Sequence, residues 1–517
     1  MAEIGKNIIE NLTTGMYENS YTVYREYIQN AADSIDNAIS SGLLKKHEAY
    51  IDISINANKR RISIYDNACG IPKSRFEKLL SDIADSTKDR TKEKGFRGIG
   101  RLAGIAYCDE LVFTSSYSGE NVKSIMSWNG KLLREIINDK TQHPSASDLV
   151  DMLITCTEEP CPPEEHFFEV VMDKIIPESD NLINAHSVIE YLQFVAPVPY
   201  SNTFVYSSKI HEFANTNDLA IDEYKINVNG NPISKPYKTY IYEGNEKKSV
   251  CDEIVDVQFE IFKNKQGEVL GWLWYGISKF EKVIQIINPM RGIRLRKENI
   301  QIGNEDTLGY PKFFKEPRGN KYFVGELFAI HPELIPNARR DYFNVNPTLK
   351  DFEKAIYQIL HEDFYKLYHY ANTVKTNTKK ISDYEQKKKD FDSKMSSGGF
   401  VSKDDQDKAA KELTESKEKA EKAQHQLELR KRDADKNEVL NKVYSEINTT
   451  YGVEEQKDPA PVQQDDNKKK TPYLSQSLSR YSKKEQKLIG TIYEIIKQIL
   501  PKDSAELVIQ KIQEELK

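Results

Sequence analysis

One amphipathic stretch, residues 24–38, constrains the fold more than any other part of the chain. Its apolar positions recur at helical spacing: Tyr24, Ile28, Ala31, Ile35 and Ala38. Glu26, Asn30 and Asp33 follow at i, i+4 and i+7, so they share a second face of the predicted helix. A carboxylate and a carboxamide one turn apart suit a general base and a ligand for a hard cation. The same pattern is also typical of an ordinary surface helix with a polar side.

Composition narrows the class of protein. A chain of 517 residues predicts about three domains on the usual size of a domain. The net charge of −6 gives no general basic signal for nucleic acid or for an anionic membrane surface. We find no apolar run long enough to span a bilayer and no apolar core of a signal peptide near the N-terminus. Five scattered cysteines do not make a disulfide framework, so the expected setting is the reducing cytoplasm.

A hairpin and a tight turn follow the helix. Residues 51–55 and 62–64 alternate apolar and polar side chains, which predicts two paired strands. The second strand runs directly into Asp66, and Gly70 and Pro72 come a few residues later. A carboxylate held at a strand end, beside a glycine that a flat ligand can approach, is a plausible site geometry. A plain strand-to-helix turn with Asp66 as the capping residue is the alternative.

Next comes a polar, charged segment that ends in glycines. Gly95, Gly98 and Gly100 precede a predicted helix, and backbone N–H groups at such a helix start suit phosphate. Lys88, Lys94 and Arg97 add positive charge, although the glycine spacing does not match a P-loop. A helix over 73–85 precedes this segment, and strands are predicted over 111–115, 124–128, 149–157 and 167–173. A leading helix followed by a mostly antiparallel sheet predicts an α+β fold.

The Glu26/Asn30 helix, the Asp66–Gly70 turn and the Gly95–Gly100 loop, in this order, resemble the GHKL ATPase superfamily. That superfamily includes type II topoisomerase ATPase subunits, the ninety-kilodalton heat-shock chaperones, MutL, MORC proteins and histidine kinases. The resemblance implies an N-terminal Bergerat-type α/β sandwich that binds ATP and Mg²⁺. The chain most resembles prokaryotic ATP-binding proteins of the ninety-kilodalton heat-shock type, over roughly residues 1–345.

The resemblance also implies a role for each matching residue. Glu26 would be the general base, Asn30 the Mg²⁺ ligand, and Asp33 part of the adenine or metal-water network. Asp66 would accept a hydrogen bond from the adenine amino group, and Gly70 would lie beside the base. The lid and phosphate cradle would use Lys88, Gly95, Arg97, Gly98, Ile99 and Gly100. Glu26 favours hydrolysis, since histidine kinases of the superfamily typically lack this acid and transfer phosphate to a histidine.

Two positions depart from the family pattern. Ala68 stands where the family usually has glycine, which requires a negative φ there. The family's late strand commonly starts with Gly-Thr, whereas here it starts at His166. Thr155 or Thr157 on the preceding strand could replace that adenine contact, and we leave the contact unassigned.

Residues from about 220 to 345 resemble the transducer or middle domain of the chaperone and MutL branches, in which a basic residue reaches the γ-phosphate. The Asn337–Arg340 turn is similar to the chaperone loop that carries this arginine, so Arg340 is the first candidate and Arg339 the second. Two surface arginines paired with Asp341 are the alternative. The turn at Met290–Arg294 is a weaker candidate.

The C-terminal third is rich in charge. Leu413, Ala420, Leu427 and Ala434 recur every seven residues, which predicts an antiparallel helical hairpin or a single solvated helical arm. We therefore expect five regions. These are an ATP-binding domain (1–215), a transducer-like α/β domain (216–372), a charged helical or coiled-coil region (373–452), a disordered linker (453–472) and a small helical unit (473–517). Cys156, Cys161 and His166 lack the usual spacing of a zinc site.

The resemblance implies a switch that works on a macromolecular partner, with dimerisation of the N-terminal domains. One hypothesis is a chaperone-like ATPase acting on a protein client, or on an effector partner as in some prokaryotic antiviral defence systems. A second is a DNA-clamp ATPase of the MutL/MORC type, against which the acidic net charge argues. A third is an ATP-gated scaffold with little turnover. Neither a membrane partner nor a metabolic small-molecule substrate is expected.

Overall fold

The computed structural model describes Lys6 and residues 19–82, 100–244, 248–452 and 481–516. The described chain divides into two compact units. The first contains Met1–Ile277 and Lys282–Tyr365, and the second contains Ser278–Glu281 and Lys366–Lys517. The α+β class is confirmed, because two large sheets lie in the first unit and helices make up the C-terminal region.

The first sheet has eight strands in the order β5-β4-β3-β6-β2-β1-β7-β8. Its strands are β1 (Ile51–Asn56), β2 (Arg61–Asp66), β3 (Cys108–Ser116), β4 (Val122–Asn129), β5 (Ile154–Pro160), β6 (Phe167–Ile175), β7 (Ile226–Val228) and β8 (Asn231–Pro232). All neighbouring pairs are antiparallel except β1 and β7. Because β7 and β8 lie beyond position 215, this sheet extends past the expected boundary of the first domain.

Helix α1 (Thr22–Ser40) shares one hydrophobic core with this sheet. Ile28 and Ile35 of the apolar stripe are buried together with Ile51 and Ile64 of the central strands. As its spacing predicts, the apolar stripe packs α1 against the sheet. The polar face that carries Glu26 lies on another side of the helix.

Four shorter helices of the described chain pack with this sheet: α2 (Lys73–Ser81), α3 (Gly130–Asn138), α4 (Ala146–Leu153) and α5 (Ala185–Val195). A fifth, α6 (Ser207–Thr216), packs in the core of the second sheet described below. The prediction of a strand over 149–157 was wrong in its first half. Ser145 caps α4 by accepting a hydrogen bond from the backbone N–H of Asp148, and this cap starts a helix where apolar residues alone suggested a strand. The helix predicted over 73–85 ends at Ser81.

The second sheet has five strands in the order β11-β12-β15-β13-β14. They are β11 (Asp256–Lys263), β12 (Val269–Ile277), β13 (Gly292–Lys297), β14 (Ile300–Gln301) and β15 (Val324–Ala329), and a separate hairpin pairs β9 (Tyr240–Glu243) with β10 (Ser249–Glu253). Strands β13 and β15 are parallel, and the other pairs are antiparallel. Helix α7 (Pro347–Tyr357) follows in the chain.

A fully buried charge cluster lies in this part of the first unit. Glu326 accepts hydrogen bonds from Lys235 (2.8 Å), Tyr200 (2.5 Å) and Tyr237 (3.1 Å), and it also pairs with Arg296. Burial alone would raise the pKa of Glu326, yet Arg296 and Lys235 lower it to about 2. Burial lowers the pKa of Lys235 to about 7. The carboxylate thus holds two cations and two phenols at one buried point.

The second unit contains the long helices α8 (Phe364–Ser397, from Lys366 onward) and α9 (Lys403–Ala434), followed by α10 (Glu438–Tyr451). Tyr370 near the start of α8 donates a hydrogen bond to the Arg430 carbonyl near the end of α9, so these helices run antiparallel. Ala420, Leu427 and Ala434 of the predicted heptad are buried. Helices α11 (Lys483–Ile499) and α12 (Lys502–Glu515) end the chain. The expected linker at 453–472 lies outside the described residues.

No helix among the described residues is long and apolar enough to cross a membrane.

Candidate active site

Two tyrosines hold the start of α1 in place. Tyr24 donates a buried hydrogen bond to the carbonyl of Leu182 (2.6 Å). The hydroxyl of Tyr27 accepts one from the backbone N–H of Gly104 (3.0 Å), in the 3-10 segment Gly100–Tyr107. Glu26 lies between these two anchored positions, so its backbone is fixed on both sides. The sequence feature behind this is Tyr24 of the apolar stripe together with Tyr27, which precedes the stripe residue Ile28.

Glu26 is buried between two arginines. It is 8% exposed, and its Oε1 lies 3.2 Å from Nη2 of Arg25 and 3.8 Å from Nε of Arg340. A Cβ atom built on Gly100 would lie 2.5 Å from the other carboxylate oxygen, so Gly100 packs directly against the acid. The structure therefore brings three predicted site residues together: Glu26, Gly100 and Arg340.

Arg340 owes its position to a tight turn. Its backbone N–H donates to the Asn337 carbonyl, and its own carbonyl accepts from Gly303. Its φ is +55°, a left-handed conformation that few non-glycine residues adopt. Arg340 is buried, whereas Arg339 is exposed and its carbonyl accepts a hydrogen bond from Arg25 (3.4 Å). Of the two candidate arginines, Arg340 is the one whose side chain faces Glu26.

Asp66 ends β2 in a buried position. Only 3% of it is exposed, and its Oδ1 accepts a hydrogen bond from the Ala68 backbone N–H at 3.1 Å. Burial raises the pKa of Asp66 to about 8, and the Ala68 bond only partly offsets this. The carboxyl group is consequently mostly protonated at neutral pH, and a ligand that donates a hydrogen bond to it would compensate part of its desolvation.

The turn after Asp66 needs its glycine. Gly70 has a φ of +68°, and a Cβ there would lie 1.9 Å from the carbonyl oxygen of Ser116. The next residue, Ile71, donates its N–H to Oγ of Ser115 (2.7 Å). Ala68 does not have a positive φ, so alanine is accommodated where the family usually has glycine.

The polar face of α1 connects the two ends of the site. The Cys69 thiol lies 3.9 Å from the carbonyl of Ser34, which places the Asp66 turn against the later part of α1. Ser34 follows Glu26 by eight residues, which is about 12 Å along a helix axis. Asn30, half-buried, and Asp33, buried, lie between these ends. The arrangement is an elongated site with a carboxyl group at each end.

Several residues that the sequence analysis assigned to the ATP site are not part of the arrangement described above. Lys88, Gly95, Arg97, Gly98 and Ile99 are outside the described residues. Thr155 and Thr157 are exposed on β5, the edge strand, and three strands separate them from Asp66 on β2. They are too remote to replace the missing adenine contact.

On β6, the late strand of the family pattern, Phe168 lies opposite Asp66. The ring of Phe168 stacks on Phe113. Within the described part of the chain, no group of three or more His, Cys, Asp or Glu side chains could hold a metal ion. His166 bonds the Ala68 carbonyl and Cys161 bonds Glu165.

Two residues of α1 were missed by reasoning from the sequence. Arg25 donates a hydrogen bond to Glu26, the candidate general base. In the sequence, only its position next to Glu26 pointed to this role. Gln29 is completely buried, and both of its amide atoms lack a hydrogen-bond partner among the described residues. Nothing in the sequence distinguishes Gln29 from a surface glutamine.

Two comparisons with known proteins find similarity to part of the chain. Residues 25–151 match the family model described as histidine kinase-, DNA gyrase B-, and HSP90-like ATPase. The chaperone protein HtpG of Buchnera aphidicola is 28% identical over 160 residues, covering 26% of this chain and 25% of HtpG. HtpG of Fusobacterium nucleatum is 28% identical over 145 residues, covering 24% of each.

HtpG of Legionella pneumophila strain Lens is 26% identical over 144 residues, covering 24% of this chain and 23% of the relative. The chain thus spans about a quarter of the length of the curated relatives it matches. The resemblance inferred from the three motifs is confirmed. Residues 25–151 are similar to the histidine kinase-, DNA gyrase B-, and HSP90-like ATPase family, and the chain is similar to HtpG chaperones over about a quarter of its length.

Proposed function

We propose that the chain is an Mg²⁺-dependent ATPase that binds ATP along the polar face of α1 and hydrolyses it with Glu26 as the general base. The observation that carries the proposal is the convergence of Glu26, Gly100 and Arg340 at one end of this face, with Asp66 and Gly70 at the other. The family match supports the nucleotide chemistry in general.

Asp66 and Gly70 suit the adenine end. A buried carboxyl group at a strand end can accept a hydrogen bond from the exocyclic amino group of adenine. Because no side chain fits at Gly70, the turn presents bare backbone there. Both features favour a flat base with a hydrogen-bond donor on its edge over a ligand that lacks one.

The other end suits the phosphates. Asn30 and Asp33 carry the oxygen donors that Mg²⁺ prefers, and they lie on the same helix face as Glu26. When bound, Mg²⁺ would offset negative charge on the phosphate oxygens. Glu26 would orient the attacking water and accept its proton, and the Arg340 guanidinium would stabilise the charge that develops on the γ-phosphate.

Arg340 also offers a way to report the nucleotide state. In the structure its guanidinium lies by Glu26 and its backbone bonds Gly303, just after β14. A γ-phosphate would compete with Glu26 for this arginine, so nucleotide binding would move the loop that carries it. We propose that this movement, together with closure of residues 85–100 and dimerisation, drives a switch acting on a protein client or effector.

The test is an ATPase assay on the full chain, its Glu26→Ala and Asn30→Ala variants, and a matched Glu190→Ala control that removes an exposed acid. Phosphate release that depends on Mg²⁺, Glu26 and Asn30 but not on Glu190 supports the proposal. ATP binding without Glu26-dependent release would contradict hydrolysis and leave a nucleotide-gated scaffold. Strong stimulation by duplex DNA would contradict the protein partner. A pull-down with Glu26→Ala and ATP would then identify the partner of the trapped state.

A further inference from the structure

Helix α11 has more apolar surface than its packing within the described chain uses. Leu488, Ile492, Ile495 and Ile499 are each between 42% and 73% exposed. They follow one another at i, i+4, i+7 and i+11, so they share one face of α11, which we call the outer stripe. Single exposed apolar residues are normal on a protein surface, whereas four in one row are typical of an interaction site.

Two other faces of α11 are already packed within the second unit. Tyr493 is completely buried in a small core shared with α12, and Ile489 and Ile496 pack against this core. These three residues lie roughly 100° around the helix from the outer stripe. A further face contains Gly490, where an added Cβ would lie 2.5 Å from Val401, between α8 and α9. Helix α12 and Val401 therefore occupy separate faces of α11, and the outer stripe remains exposed beside them.

The outer stripe is symmetric about its own centre. Its intervals are four, three and four residues, which is the spacing of a coiled-coil seam. If a second α11 lies antiparallel to the first, Leu488 faces Ile499 of the other copy, and Ile492 faces Ile495 of the other copy. Each aliphatic side chain then meets another aliphatic side chain. The stripe is thus self-complementary, as the interface of a two-fold symmetric dimer must be.

Charge beside the outer stripe favours the antiparallel direction. Lys484 is exposed and lies one turn before Leu488, at the edge of the stripe. Two parallel helices would place the two copies of Lys484 side by side. In the antiparallel pair the two lysines are about 19 residues apart along the axis, or about 28 Å. That separation exceeds the screening length of about 10 Å in ordinary salt, so the repulsion between them is small.

We propose that the outer stripe is a dimerisation surface, on which α11 of a second copy of this chain packs antiparallel. Closed two-fold dimers are the commonest oligomers, and they need a patch that is complementary to itself. The contact lies in the second unit and uses no residue of the proposed ATP site, so it joins two chains with or without nucleotide. Four aliphatic residues per copy are few beside a standard interface of about 800 Å² per partner, so the association depends on concentration.

Sedimentation velocity of the full chain without nucleotide, across micromolar concentrations, tests the proposal. The unmodified chain should shift from monomer to dimer as its concentration rises. Leu488→Glu should weaken this association at least about tenfold, because it places an unpaired carboxylate in an apolar contact. Leu507→Glu makes the same change at an exposed leucine of α12 outside the stripe, and should associate like the unmodified chain. A chain that stays monomeric throughout, or equal effects of the two substitutions, would overturn the proposal.

Mixing two variants tests the antiparallel direction. Ile492→Lys and Ile495→Glu should each weaken self-association, and circular dichroism checks that each variant keeps its helices. The mixture should form a heterodimer, because the introduced lysine of one chain faces the introduced glutamate of the other. Parallel helices would leave both introduced charges opposite isoleucine, so absence of recovery on mixing would contradict the antiparallel contact. Both experiments omit nucleotide, so their outcome is separate from that of the ATPase assay.

Discussion

Asp66→Asn should change how the stability of the chain depends on pH. The pKa of Asp66 is about 8 in the folded chain, against an ordinary value of 3.8. Because the folded pKa lies above the unfolded one, the folded chain binds the proton more tightly. Below about pH 4, Asp66 therefore does not lower the free energy of unfolding. As the pH rises from about 4 toward 8, its ionisation lowers the free energy of unfolding progressively. Above about pH 8 this contribution no longer changes.

The magnitude follows from the size of the shift. One pKa unit corresponds to about 1.4 kcal/mol, so the unmodified chain should lose on the order of 4 kcal/mol between pH 5 and pH 8 through this group. Asp66 is 3% exposed, so solvent screening reduces this little. The amide of the Asp66→Asn variant can still accept the Ala68 hydrogen bond and does not titrate.

Urea unfolding followed by tryptophan fluorescence measures this effect, because Trp128, Trp272 and Trp274 are all buried in the first unit. The gain in unfolding free energy from Asp66→Asn should be several kcal/mol larger at pH 8 than at pH 5. Asp151→Asn, which changes an exposed aspartate of α4, should give equal values at both pH values. An Asp66→Asn gain that does not vary with pH would refute the inference that the buried carboxyl group is protonated.

Three further predictions concern side chains whose surroundings are fixed in the structure. Gly70→Ala should destabilise the first unit by roughly 2–5 kcal/mol in urea unfolding, from backbone strain plus overpacking, whereas Gly119→Ala, with open space around it, should cost about 1–2 kcal/mol. Glu326→Gln leaves two buried cations without their carboxylate and should cost about 3–5 kcal/mol; a loss under 1 kcal/mol would show that the cluster relaxes freely. Arg340→Ala should lower ATP turnover by about 10²–10³-fold with little change in ATP affinity, while Arg339→Ala leaves turnover unchanged; the reverse order would exchange their proposed roles.

Local patterns predicted the N-terminal elements well because their causes are local. The apolar stripe of α1 is a property of about four helical turns, and the alternation of β1 and β2 is visible within six residues each. The combination of Glu26, Asp66 and the glycine loop also identified the family. The strand predicted over 149–157 was wrong up to Leu153, because Ser145 caps α4 and a helix precedes the strand there.

The features that the sequence could not predict depend on contacts between residues far apart in the chain. Arg340 meets Glu26 across more than three hundred positions of the chain, and two adjacent arginines cannot be told apart without knowing which one adopts a positive φ. The cluster around Glu326 joins Lys235 to strands formed much later in the sequence. Burial of Asp66, and with it the raised pKa, likewise follows from packing and not from neighbouring residues. No periodicity in a single sequence contains this information.

The most direct test of the central claim is a single-turnover measurement of ATP hydrolysis on the unmodified chain and its Glu26→Ala variant, with the ATP dissociation constant measured for both. A general base contributes typically about 10²–10⁴-fold, so the hydrolysis rate should fall by that factor while the affinity for ATP is retained. Equal hydrolysis rates in the two proteins would contradict the assignment of Glu26 as the base and the ATPase mechanism built on it.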